Sequence, residues 1–341
     1  MDDIRACEVC GAGAFRPVLE QRDLLLDRRE PVFRVVQCEW CGLLFTNPRP
    51  SEDEIGSYYP EEYYSHYHRD FSSTPAWVDG PSSWKGRVKG RLLERYYGHP
   101  PAAAAPRGPL ERLLGGPLLG ALHLYFRLSG RDPSLIPFVG EGKILDVGCG
   151  MGLALAAYRQ RGWTPFGVEP SHAASRYARE VLGLAVRQGE LLEAGFEAES
   201  FDVVLFRHSL EHVPSPSVEL REAHRVLKPS GLLVVMVPNA AGWDARLFGR
   251  WWVAWDLPRH FYHFTPATLS ALLGKTGFRV QRITYDPGPF TFFESAVYVS
   301  QYRYRMPAPP RRLLRLVFRP AAFVLALMGK SGVMTVFAGK A

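Results

Sequence analysis

The sequence has no run of eighteen or more uncharged apolar residues in its 341 positions, so no transmembrane helix is expected. Its first residues, Met1-Asp2-Asp3-Ile4-Arg5, are acidic and lack an apolar stretch. A secretory signal is therefore not expected, and the reading is cytoplasmic. There is no lysine-rich tail of the kind that wraps nucleic acid, so no nucleic-acid partner is expected. Charge of one sign is also in short supply: 41 basic against 34 acidic residues leave a net charge of +7. That excess permits contact with an anionic group or a membrane surface without demanding either. Cysteine is scarce, with five in all, which excludes a disulfide-dense scaffold.

Four of those five cysteines form two matched units, Cys7-Glu8-Val9-Cys10-Gly11 and Cys38-Glu39-Trp40-Cys41-Gly42. A two-residue gap lets both thiolates of a pair face one ion. The glycine that follows takes the turn aiming backbone amides at sulfur. Cys7, Cys10, Cys38 and Cys41 together make a tetrahedral four-sulfur site suited to structural zinc. No position is left open for catalysis, so the metal is expected to fold a ribbon over residues 1–50. Residues 51–140 read as linker and helical cap. They include a tyrosine- and histidine-rich stretch (51–70), Ser, Pro, Gly and Ala clusters (72–110) and an apolar stretch (111–128).

From residue 141 the pattern changes. Short apolar strands are expected at Lys143–Val147, Thr164–Val168, Leu184–Arg187, Phe201–Phe206, Leu232–Val237, Phe278–Thr284 and Val333–Ala338. Helices fall between them: Leu153–Arg161, one capped by Ser171, Ser217–Leu227 and one capped by Thr265. Lys228-Pro229-Ser230-Gly231 reads as the turn closing the third of these. Fully apolar strands alternating with helices indicate an α/β fold, a doubly wound, mostly parallel seven-stranded sheet. An insertion at about 286–331 interrupts it.

The first strand runs into Asp146-Val147-Gly148-Cys149-Gly150-Met151-Gly152. A dinucleotide fingerprint starting at Gly148 would need glycine at 153, which is Leu153. The lysine of a phosphate-binding P-loop is also missing. Asp146, Glu169 after the second strand and Glu190 after the third are carboxylates. A carboxylate at 169 suits a ribose diol, and the set suits a ligand carrying an ammonium and a sulfonium. Pro170, Leu191 and Arg207 complete the expected cofactor-binding set with Gly148, Cys149, Gly150 and Gly152.

These motifs resemble class I S-adenosylmethionine-dependent methyltransferases, within them the ubiquinone-biosynthesis O-methyltransferase-like group. The resemblance rests on Leu145–Gly152, Phe201-Asp202-Val203-Val204, Leu210-Glu211-His212-Val213, Leu227–Gly231 and Val237-Pro238-Asn239. The front end, through Cys41-Gly42-Leu43-Leu44-Phe45-Thr46-Asn47-Pro48-Arg49-Pro50, is similar to zinc-ribbon methyltransferases of deoxysugar and glycan clusters. The resemblance implies a Rossmann-like sheet of order 3-2-1-4-5-7-6 with its seventh strand antiparallel, and S-adenosylmethionine as cofactor. It implies methyl transfer to oxygen or carbon of a small-molecule, glycan or lipid-linked acceptor.

Four histidines are candidate catalytic groups. His208 and His212 follow the fourth strand with Glu211 between them, placing a base or a divalent-ion trio if the turn is helical. His260 and His263 lie in Trp251–Phe264, where aromatic walls could stack an acceptor and Arg259 could hold a phosphate or carboxylate. The bland alternative for both segments is a packed loop. Arg311–Arg319, followed by the apolar Pro320–Met328, and residues 111–128 suit either core helices or peripheral membrane contact. The competing functional class is a zinc-ribbon binding module on a catalytically inactive Rossmann-like domain.

Overall fold

The computed structural model describes residues 1–59, 84–100, 119–121, 123–124 and 136–341. The expected linker between 60 and 83, the Pro-rich stretch 101–110 and most of the apolar stretch 111–128 lie outside the described residues.

Strands β1 (Phe15–Arg22), β2 (Val32–Cys38) and β3 (Leu44–Thr46) form the antiparallel sheet that carries the cysteines. The inward side chains Phe33, Val35 and Phe45 are buried, as the alternating pattern of β2 requires. Seven further strands build the second sheet: β4 (Lys143–Val147), β5 (Thr164–Glu169), β6 (Ala185–Gln188), β7 (Phe201–Arg207), β8 (Leu227–Pro238), β10 (Phe278–Tyr285) and β11 (Val333–Lys340). Their order is β10-β11-β8-β7-β4-β5-β6. Counted within that sheet alone, this is 3-2-1-4-5-7-6, as the resemblance implied. The pairs β4–β5, β4–β7 and β5–β6 are parallel, while β10 and β11 run antiparallel. Ile144, Leu145, Val203, Val204, Leu233 and Val235 are wholly buried. Continuous apolar strands of this kind belong in a sheet covered on both faces.

Helices α1 (Leu153–Arg159), α2 (His172–Glu180), α3 (Pro216–Val226) and α4 (Pro266–Lys275) form where periodicity and caps placed them. Ser171 accepts from the Ala174 N–H, and Thr265 caps α4 with Pro266 in its first turn. The expected turn at Lys228–Gly231 is instead part of β8, which starts directly after Val226. Lys228 is held there by Asp202 at 2.8 Å and Glu141 at 3.5 Å. The insertion contains α5 (Phe290–Tyr298) and α6 (Arg311–Leu327), the latter continuing through Pro320. No described helix is long and apolar enough to cross a membrane.

The short strand β9 (Tyr262–His263) does not join the large sheet. It pairs antiparallel with β3, Leu44 opposite His263 and Phe45 opposite Tyr262. The order of the small sheet is thus β1-β2-β3-β9. By contacts the chain forms two compact units. The first is Met1–Glu61, Arg207–His224 and Val234–Ala341; the second is Glu62–Phe206 and Arg225–Leu233.

Candidate functional site

In the first unit the two cysteine knuckles are built alike. Cys7 N–H donates to Ala12 O and Gly11 N–H to Cys7 O; Cys38 N–H donates to Leu43 O and Gly42 N–H to Cys38 O. Gly11 and Gly42 hold φ of 76° and 78°, a left-handed turn that other residues resist. Cys7 and Cys41 sulfurs are 3.5 Å apart, as are those of Cys10 and Cys38. All four lie within 4.8 Å of one another. That spacing is far too long for disulfides and matches the edges of a tetrahedron with metal–sulfur bonds of about 2.3 Å.

The second unit holds the glycine loop. Gly148, Gly150 and Gly152 all have positive φ. A Cβ at Gly152 would come 2.6 Å from Leu184 Cδ1, so only glycine lets this turn pack on α2 and the following strand. Glu169, at the end of β5, is buried. One of its carboxylate oxygens accepts from Gly150 N–H at 2.8 Å and the other from Ser171 N–H at 2.9 Å. Backbone donors thus fix the carboxylate against the loop. Asp146, Cys149 and Leu191 are also buried, Gly148 and Gly150 are half-buried, and Pro170 and Glu190 are exposed. Arg207, the last residue of β7, is half-buried in the first unit.

The four candidate histidines all lie in the first unit, but they differ in setting. His208 follows β7 with φ of 53°, a conformation strained for a histidine, and its N–H donates to Met236 O. Its side chain is 46% exposed. Nδ1 stands 3.5 Å from Oε1 of Glu211, an ion-pair distance rather than a good hydrogen bond. Glu211 is buried. Burial pushes its pKa up, yet His208, His212 and His260 outweigh this and hold it below the usual range. Asp286, just past β10, also feels His208; burial nevertheless raises its pKa. Sequence reasoning missed Asp286, whose one local signal is its place before Pro287-Gly288-Pro289.

The segment 208–212 is a turn, not a helix, so His208 and His212 do not share one helical face. His212 is held on the Tyr59 side. Its Nδ1 lies 2.8 Å from Tyr59 Oη and 3.1 Å from Arg259 O. A carbonyl only accepts, so Nδ1 carries the proton and Nε2 the lone pair. Burial, with His260 adding to it, lowers the pKa of His212 to about 4. His260 is fixed in the same manner, Nδ1 donating to Ala254 O at 2.9 Å. His263 is buried in β9 beside Trp255, with no hydrogen-bond partner at either ring nitrogen among the described residues and a pKa lowered well below normal by burial.

Two expectations for the aromatic segment give way. Arg259 is not an anion clamp: it is 0% exposed, donates twice to Asp23 at 2.8 Å and binds Asp256 at 2.7 Å. Trp252 and Trp255 are not acceptor walls either, for they pack into a core with Phe33, Val35 and Tyr58. Further bonds tie the small sheet to the histidine segments. Thr46 Oγ1 donates to His260 O, Thr46 N–H to Phe261 O, and Phe261 N–H to Glu211 O. Glu8, inside the first knuckle, accepts from Ser217 N–H at the start of α3. The cysteine-bearing sheet is thus the scaffold on which His212, His260 and His263 are set.

Residues 119–283 match the family model described as a methyltransferase domain. A ubiquinone biosynthesis O-methyltransferase from Azorhizobium caulinodans is 33% identical over 176 residues, 47% of this chain and 69% of that protein. One of the same name from Pseudomonas aeruginosa is 32% identical over 160 residues, 42% of this chain and 69% of that protein. Among solved structures, a SAM-dependent methyltransferase from Thermotoga maritima is similar at 19% identity and a TM-score of 0.43, over 75% of this chain and 99% of that one. The chain belongs to the S-adenosylmethionine-dependent methyltransferases, in the ubiquinone-biosynthesis O-methyltransferase-like group.

Proposed function

We propose that this methyltransferase moves the methyl group to a hydroxyl of a small-molecule or lipid-linked acceptor, with His208 removing the hydroxyl proton. The carrying observation is the pairing of an exposed histidine with a buried, ionised carboxylate. Glu211 orients the His208 ring and stabilises the imidazolium that forms, leaving Nε2 as the base. The O-methyltransferase names of the relatives support oxygen as the nucleophile. Bound S-adenosylmethionine supplies an electrophilic methyl on sulfonium. Asp146, Glu169 and the glycine loop are its proposed cradle, with Glu169 on the ribose diol. The exposed Glu190, with Pro170 and Leu191, would border the adenine. His208 would take up the acceptor's hydroxyl proton, with Glu211 beside it to stabilise the imidazolium. The four cysteines would hold zinc in a purely structural role.

The experiment is His208→Gln. Turnover falls by about a hundredfold or more, the acidic limb of the pH–rate profile disappears, and affinity for S-adenosylhomocysteine stays unchanged. Retained turnover with an unchanged profile would count against the assignment. A second reading has its own observation. Donor atoms of Glu211, His212 and His260 lie within 4.8 Å of one another, and among the described residues the Glu211 oxygens have no hydrogen bond better than the long 3.5 Å contact to His208. These three could hold a divalent cation that acidifies the hydroxyl. Metal analysis separates the two: this reading requires a second ion per chain that Glu211→Gln loses.

A further inference from the structure

Helix α6 is apolar on two sides. Leu314, Phe318, Ala322 and Leu325 form the inner one. Ala322 is buried, and Phe318 packs against Phe248 and Phe292 with ring centroids 6.2 and 5.7 Å away. The other side carries Leu313, Leu316, Val317, Val324 and Leu327, spaced i, i+3, i+4, i+11 and i+14, with Pro320 completing the row at i+7. At 3.6 residues per turn these fall within an arc of about 100°. All five are exposed, from 51% to 71%, and Met328 beyond the helix is exposed too. Single exposed leucines need no explanation, but a continuous outward stripe does.

The charges on this helix have one sign. Arg312, Arg315 and Arg319 lie on one flank between the two apolar sides, Arg311 falls on the inner side, and no acidic residue occurs in Arg311–Leu327. Arg311 is bonded to Glu294 at 2.6 Å, and Arg315 lies over the Phe293 ring. Trp243 is exposed, and its backbone N–H donates to Lys330 O just past the helix's C-terminal end. The helix has 17 residues and four arginines, so it cannot span a bilayer.

We infer that α6 is a docking face for an anionic lipid bilayer. It lies in the plane of the interface, with the Leu316 and Val317 stripe in the acyl boundary and Arg312 and Arg319 on lipid phosphates. An apolar stripe with arginines along one flank and free of acid fits that surface in both polarity and charge. The inference stands on the helix alone and does not depend on which acceptor is methylated.

Co-sedimentation with vesicles tests it, comparing phosphatidylcholine alone with phosphatidylcholine mixed with phosphatidylglycerol. The wild-type chain partitions onto the mixed vesicles about tenfold or more strongly. Leu316→Glu with Val317→Glu weakens binding to the mixed vesicles by about tenfold or more. Arg312→Gln with Arg319→Gln removes the preference for the anionic lipid. All four side chains are at the surface or half-buried, and an unchanged melting temperature and S-adenosylhomocysteine affinity verify folding. The inference is overturned if the wild type does not bind mixed vesicles, or if the double glutamate variant binds them equally well. It is also overturned if the stripe mediates dimers in sedimentation equilibrium that the glutamates abolish while vesicles are ignored.

Discussion

The two compact units hold their buried charges over different distances along the chain. In the unit with the glycine loop, Glu169 is fixed by backbone donors at Gly150 and Ser171, both near it in sequence. In the unit with the cysteines, Arg259 binds Asp23 across 236 residues, and Tyr59 reaches His212 across 153. The first arrangement is a property of one strand–loop–helix passage. The second exists only once the N-terminal sheet has folded against the segments that carry the histidines. The candidate cofactor cradle should therefore tolerate damage to the small sheet, whereas the candidate catalytic histidines should not.

The largest expected effect comes from cutting the long-range tie. Arg259→Ala leaves Asp23 and Asp256 buried without their cation, and should cost about 3–5 kcal/mol in urea unfolding. A loss below about 1 kcal/mol would mean that the two halves of the first unit are held by something else.

Acid sharpens the same contrast. Burial lowers His212 to about pKa 4, while an unfolded chain takes up that proton near its ordinary value of 6.5. Between those values the unfolded state binds more protons, so stability falls as pH drops and levels off below about 4. The loss is at most about 3 kcal/mol, less where water reaches the ring. His263 acts in the same direction. Denaturation midpoints across pH 7 to 4 should show this slope, and His212→Asn should flatten it.

A smaller effect is expected in the other unit. Glu169→Gln removes the charge from two backbone hydrogen bonds and from the proposed ribose contact. S-adenosylhomocysteine affinity should fall by about tenfold to a hundredfold in calorimetry, with the unfolding midpoint shifted much less than by Arg259→Ala. Unchanged affinity would remove Glu169 from the cradle.

The same contrast of distances explains what was legible in the sequence. The seven strands and the caps at Ser171 and Thr265 follow from local period and turn chemistry, whereas the order of the large sheet was implied by the resemblance to the methyltransferases. The cysteine cluster follows from spacing. The pairing of β9 with β3 does not, because Tyr262-His263 is a two-residue strand with no signal of its own. The fate of Arg259 was equally hidden. Beside three tryptophans it reads as a ligand clamp, and only Asp23, far away in sequence, shows that it is already engaged. His208 and His212 looked equivalent because their spacing assumes a helix. The turn leaves His208 exposed beside Glu211 and ties the buried ring of His212 to Tyr59. Asp286 had only a Pro-Gly-Pro neighbourhood to mark it.

The most direct test of the central claim is metal removal. Stripping the proposed zinc from the four-cysteine site with a chelator, or changing Cys38 to Ser, should unfold the small sheet and with it the Phe261 N–H contact to Glu211 O that seats the carboxylate paired with His208. Turnover is then lost, while S-adenosylhomocysteine still binds within about threefold of its original affinity. Full turnover after metal loss, or cofactor binding lost in step with it, would contradict the account.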